Sequence, residues 1–338
     1  MMLLLLYTAP SLAAAMPVPR GNGGAPGHAA GDIDGSDLSL KSKQCEASPD
    51  HDGCIDLLYA LAQTEESRGE LEIAERHASF AITTAHQQGG FARPDIEKFY
   101  ILLATIVAVQ GRTDEAEFMM MDAIAAGRAR KWQPERIGKL NCRAGKILAD
   151  SLAHDRAMPL FRAGLKMTSA ALTNKHIDYR VCGLWAMMSF YRQGRLDIAT
   201  EIATVLMENK SQDAAQFEIY SGVLLVSGHV LFKSGRNDEA ERALRTVFLM
   251  ERTSSASTSF IDSAITLSAI LVRRQAAIGE ARTISIAAER VILNQLRQEK
   301  FDKRAEVILR RNRHVFETRV RVNWAAAQAG TELVQGPP

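Results

Sequence analysis

The chain has 338 residues, 46% apolar and 24% charged, with a formal net charge of +2. That balance is ordinary for a folded globular protein and excludes the strong field of a general nucleic-acid binder. Four cysteines exclude a disulfide-framework scaffold, and no run of 18 apolar residues offers a membrane-spanning helix.

Residues 1–15 join the apolar run Leu3–Leu6 to Ala13 and Ala15, a small-residue cleavage pattern. They predict a signal peptide and an exported, periplasmic protein. No Lys or Arg precedes the apolar run, so a cytoplasmic chain with an irregular start is the other reading. Residues 16–50 are rich in Gly and Pro and predict a disordered linker. Cys45 and Cys54 are candidates for a disulfide that closes a small loop in an oxidising compartment. Free thiols, or a metal held near Asp50, His51 and Asp52, are the alternatives. Cys142 and Cys182 fall in apolar helical stretches and read as buried core thiols.

Residues 51–298 are helical by period: Leu57, Leu58, Leu61 and Ala62 share one face, as do Tyr100, Leu103, Ala104 and Val107. A Gly-x-x-x-x-Ala spacing recurs at Gly69/Ala74, Gly111/Ala116, Gly194/Ala199 and Gly235/Ala240, in steps of 41 or 42 residues once one gap is filled. Filling the gaps gives Leu152/Ala157 and Ala276/Ala281. The glycine permits the left-handed conformation that ends a helix. Acids such as Asp114, Glu115, Asp238 and Glu239 favour the positive start of the next helix. The alanine lets two helices approach closely. The expected pairs are 54–67 with 70–88, 95–110 with 113–130, 135–151 with 154–171, 176–193 with 195–210, 212–234 with 236–251, and 257–275 with 278–298. Pro159 requires that its helix either start near Asp155 or kink. Residues 299–330 predict a capping helix, charged on one side, with Val307, Ile308, Val315, Phe316, Val320 and Trp324 on the other; residues 331–338 form a tail.

The Gly-x-x-x-x-Ala spacing and the upstream pairs Leu61-Ala62 and Leu103-Ala104 resemble the tetratricopeptide repeat (TPR) family. The period is similar to that of its longer-helix subtype, seen in kinesin light chains and in bacterial peptide-sensing regulators. The resemblance implies an all-α, right-handed α-solenoid of about six TPR-like hairpins plus a C-terminal capping helix. It implies a non-enzymatic scaffold that binds a protein or peptide segment in a concave groove. A helical sensor acting with a separately encoded effector enzyme is the alternative. In such repeats the first helix of each pair faces the groove, at positions thirteen, ten, six, three and two before the turn glycine. Carried over, this gives Lys98 and Ile101 in the second pair and Lys139 and Lys146 in the third. It gives Leu184, Met188, Tyr191 and Arg192 in the fourth, Leu225, His229, Phe232 and Lys233 in the fifth, and Arg273 and Arg274 in the sixth. Lys and Arg outnumber acids at these positions, so the expected partner carries carboxylates beside an apolar anchor.

Enzyme signatures are missing: the sequence has no His-Glu-x-x-His, phosphate loop, Cys-x-x-Cys or Gly-x-Ser-x-Gly. The expectation is no enzyme, no cofactor and no metal. The basic run from Arg297 to Arg321 interleaves with an apolar stripe and reads as a solvated helix face rather than a nucleic-acid surface.

Overall fold

The computed structural model describes residue 45 and residues 53–93, 95–172, 176–208, 217–251, 258–275, 277–298, 308–310 and 312–329. The expected signal peptide, almost all of the linker and the tail lie outside them. Among the described residues there is no strand. The helices are α1 (Cys54–Arg68), α2 (Leu71–Gln87), α3 (Ile96–Val109), α4 (Thr113–Ala129), α5 (Pro134–Asp150), α6 (His154–Leu172) and α7 (Ile177–Arg192). They continue with α8 (Leu196–Met207), α9 (Phe217–Lys233), α10 (Asn237–Met250), α11 (Thr258–Arg273), α12 (Ile278–Gln298) and α13 (Arg313–Gln328). The fold class is an all-α solenoid.

One turn is used again and again. Gly69, Gly111, Leu152, Gly194, Gly235 and Gln275 all have positive φ. At Gly111 the amide donates to the Ala108 carbonyl at 2.9 Å, and the Arg112 amide donates to the Val107 carbonyl at 3.1 Å. This pair of bonds satisfies carbonyls that the helix end would otherwise leave open. Gly69, Leu152 and Gly235 repeat both bonds. The carbonyl of the following residue then receives the amide of the repeat alanine, as Arg112 does from Ala116 at 3.1 Å and Arg236 does from Ala240 at 3.0 Å. Ala74, Ala116, Ala157, Ala199, Ala240 and Ala281 are all 0% exposed. Leu152 takes the turn position without glycine, with φ 62°. In the last turn the left-handed residue is Gln275, one place before the expected Ala276.

Pro159 lies inside α6, which begins at His154. The start is close to the expected Asp155, and the ring removes the amide that would have reached the Asp155 carbonyl. The α5–α6 crossing is lined by Gly138, Gly145 and Gly164, each with neighbours that leave no ordinary room for a Cβ.

The described residues divide into two compact units, one ending at Gly194 and the other starting at Arg195. In the first unit α1–α2, α3–α4 and α5–α6 pack as hairpins, α7 lies on α5 and α6, and the first helices α1, α3, α5 and α7 touch in succession. In the second unit α8 packs on α9, α9–α10 and α11–α12 form hairpins, and α13 lies against α11 and α12.

The terminal helix differs from expectation. Val315 and Val322 enter the core of the second unit and Phe316 packs against it. Val320 is 67% exposed and Trp324 is 68% exposed. The buried stripe runs through Val315, Thr318, Val322 and Ala326. On a helix of 3.6 residues per turn that spacing turns positions 320 and 324 to the opposite side.

Cys142 and Cys182 are buried, as expected, but they are not separate thiols. Their sulfurs lie 2.00 Å apart and join α5 to α7. The Sγ atoms of Cys45 and Cys54 lie 2.06 Å apart, at the start of α1. No described cysteine is free.

Candidate binding faces

Each first helix turns one stripe toward the surface, although the ninth-position residue of that stripe is buried at Leu102, Trp185 and Val226. The stripe consists of the residues two, six, nine and thirteen places before the left-handed residue. Steps of four, three and four keep those residues on one side of a helix. In the first unit the stripe is Asp56, Ala60, Gln63 and Ser67 on α1, and Lys98, Leu102, Thr105 and Val109 on α3. It continues as Lys139, Arg143, Lys146 and Asp150 on α5, and Val181, Trp185, Met188 and Arg192 on α7. In the second unit it is Gly222, Val226, His229 and Lys233 on α9, and Asp262, Thr266, Ala269 and Arg273 on α11.

The expected groove positions therefore divide. Lys98, Lys139, Lys146, Met188 and Arg192 lie on the first unit's stripe, and His229, Lys233 and Arg273 lie on the second unit's. Ile101, Tyr191 and Phe232 are half-buried at its margin, and Arg274 is exposed beside the last turn. Leu184, 4% exposed, and Leu225, 1% exposed, are core residues. Both stand ten places before the turn, next to the ninth-position residues Trp185 and Val226, which are buried as well.

The charge balance also differs from expectation, because most of these cations already have acids. Lys98 Nζ lies 2.9 Å from Asp56 and 2.7 Å from Asp95, and Lys139 Nζ lies 2.8 Å from Asp178. Lys146 pairs with Asp150, and Arg192 reaches the same carboxylate at 3.6 Å. Arg274 pairs with Asp238 and lies 2.7 Å from Glu241. A surplus of basic letters in the stripe is thus largely neutralised by acids one repeat away or one turn along.

Arg143 is the exception in the first unit. Its guanidinium carbon sits 4.7 Å from the centre of the Trp185 ring. Trp185 is nearly buried, and Lys146 Nζ stands 5.9 Å from the same ring. Burial lowers the Arg143 pKa, opposed chiefly by the negative charge of Asp178. Lys98 in turn lies over Tyr59 at 5.1 Å and Phe99 at 4.9 Å. In the second unit Arg273 stacks on Phe232 at 4.6 Å, and His229 Nε2 lies 3.4 Å from Thr266 Oγ1. Burial holds the His229 pKa down.

Arg143 and Trp185 were not among the expected site residues, although the sequence carried a signal. Arg143 stands four places after Lys139 and three before Lys146, the spacing of a single helical stripe. The arrangement can hold an extended or helical segment by stacking and charge. Among the described residues no three His, Cys, Asp or Glu side chains are grouped to hold a metal ion, and no helix is long and apolar enough to cross a membrane.

No protein-family model matches the chain, and no curated protein sequence does. Among solved structures, the crystal structure of the APC/C hetero-tetramer Cut9–Hcn1 is similar to it with a TM-score of 0.43 and 14% identity. The match covers 82% of this chain and 46% of that one, so the chain spans less than half of that protein's length.

Proposed function

We propose that the chain is a non-enzymatic interaction scaffold of TPR-like repeats, of the longer-helix subtype, that binds a protein or peptide segment on its first-helix faces. One observation carries this reading. The residues two, six and thirteen places before the turn stay accessible on every first helix of each unit, while the repeat alanines are sealed inside. A stack of repeats spends its other surfaces on its neighbours, so a partner meets this ordered face. The first unit's stripe offers Met188 and Val109 beside its charges, the mixture of apolar anchor and polar rim found at peptide grooves.

The reading includes export to a bacterial periplasm. Both cysteine pairs are at bonding distance, and an oxidising compartment is where such bonds persist. Affinity capture with crosslinking from the envelope fraction tests the function. A partner crosslinked to α3, α5 or α7 supports it, and crosslinks confined to α2, α4 and α6 would overturn it. Mass spectrometry of the native N-terminus tests export: a mature chain starting near Met16 supports it, and an intact Met1 removes it.

A further inference from the structure

We infer that Arg143, seated on Trp185, is the docking point for a carboxylate of an acidic peptide segment. This assigns the partner's chemistry on the first unit's face, and it rests on the reading that this face binds a peptide.

Arg143 sits in the middle of its stripe, with Lys139 and Lys146 on either side. The Arg143 guanidinium carbon lies 4.7 Å from the Trp185 ring centre, a contact that uses none of its N–H groups as hydrogen-bond donors to a polar acceptor. No described residue accepts a hydrogen bond from them. The contrast with the surrounding cations is sharp. Lys98, Lys139, Lys146 and Arg192 each face an acid of this chain, and so does Arg136, whose Nε donates to Glu97 at 3.1 Å. A half-buried guanidinium presents five donors in a fork that matches a carboxylate. Among the described residues it has no acceptor of the kind such groups ordinarily find.

The neighbourhood selects among anions. Asp56, Asp95, Asp150 and Asp178 stand among the paired lysines. They repel a polyanion such as a nucleic acid while leaving one unmatched positive group. Met188 and Val109, neither of them buried, give apolar surface on the first unit's stripe. A peptide that alternates acidic and apolar side chains answers both features.

The test uses the full chain, with its disulfides intact, and two fluorescein-labelled decapeptides. One alternates aspartate with leucine, and the other alternates asparagine with leucine. Fluorescence polarisation at low salt should show the acidic peptide binding at least about tenfold more tightly, as expected for a charged hydrogen bond. Arg143→Gln should remove that preference and leave the neutral peptide's affinity unchanged, whereas Lys139→Gln should have little effect on either. If Arg143→Gln does not fold, the Arg143 Nε–Hε resonance of the wild type takes its place: it should move on addition of the acidic peptide and stay fixed with the neutral one. Equal affinity of both peptides for the wild type, an acidic-peptide preference that survives Arg143→Gln, or a fixed Arg143 resonance overturns the carboxylate assignment and leaves the peptide-binding face standing. Binding of neither peptide overturns both.

Discussion

Gly164→Ala probes the closest helix crossing. A Cβ placed on Gly164 would lie 2.3 Å from Cys142 Sγ, 2.9 Å from the Gly138 carbonyl oxygen and 3.1 Å from the Cys142 nitrogen. Two of those three atoms are α5 backbone, so rotating a side chain cannot relieve the contact; α6 must move away from α5. Overpacking of this kind costs about 1–3 kcal/mol. Replacing a mid-helix glycine with alanine returns up to about 1 kcal/mol of helix propensity. The net expectation is a loss of about 1–2 kcal/mol, or roughly 2–8 °C in melting temperature for a unit of this size. Gly279→Ala in α12 is the control, because its added Cβ meets nothing within 4 Å. That variant, at the second residue of its helix, should lose no stability and gain less than about 1 kcal/mol. Circular dichroism melts of the two proteins decide the matter. A Gly164→Ala protein that melts at or above wild type, as Gly279→Ala should, would show that α5 and α6 do not cross this closely.

Leu152→Gly should raise the free energy of urea unfolding by about 0.5–1 kcal/mol, because leucine is held in a left-handed turn while 77% exposed; a lower unfolding midpoint would refute the turn geometry. Alkylation of the denatured protein should modify no cysteine before reduction and four after it, and reduction should cost about 2–4 kcal/mol per bond lost. Burial lowers the pKa of His229 and of His154. Each therefore holds its proton less tightly folded than unfolded, so stability should be full above about pH 6.5 and fall as the pH drops below it. Urea unfolding at pH 7.5 and 5.5 measures the difference, and His229→Gln should shrink it.

The repeat was legible because a small residue at a fixed distance from a turn is a local rule. Six alanines obey it, and even Leu152 holds the turn without its glycine. The outward stripe was less legible. Position nine before the turn is buried at Leu102, Trp185 and Val226 as position ten is at Leu184 and Leu225, so a count back from the turn does not by itself separate core from surface. Leu184 and Leu225 fell on the wrong side for that reason. The neutral stripe was hidden because Lys139 and Asp178 are 39 residues apart in sequence and 2.8 Å apart in space. The Cys142–Cys182 pairing was hidden in the same way, because it joins helices from neighbouring repeats. On α13 the sequence offers apolar letters on two sides, and only contact with α11 and α12 chooses between them.

The uniform turn makes this chain tolerant of some length changes and intolerant of others. Gly111 and Leu152 hold the same conformation, and each hands its next residue's carbonyl to an alanine four places further on. Excising residues 112–152 would join Gly111 to Ala153, whose carbonyl already receives the Ala157 amide at 3.1 Å. Every bond of the new junction would have a precedent in the old ones. Removing a single residue from the same stretch would turn an entire helix by about 100° and carry its sealed alanine out into water. Evolution and engineering alike can therefore lengthen or shorten this molecule in quanta of one whole repeat, with intermediate lengths forbidden by rotation rather than by size.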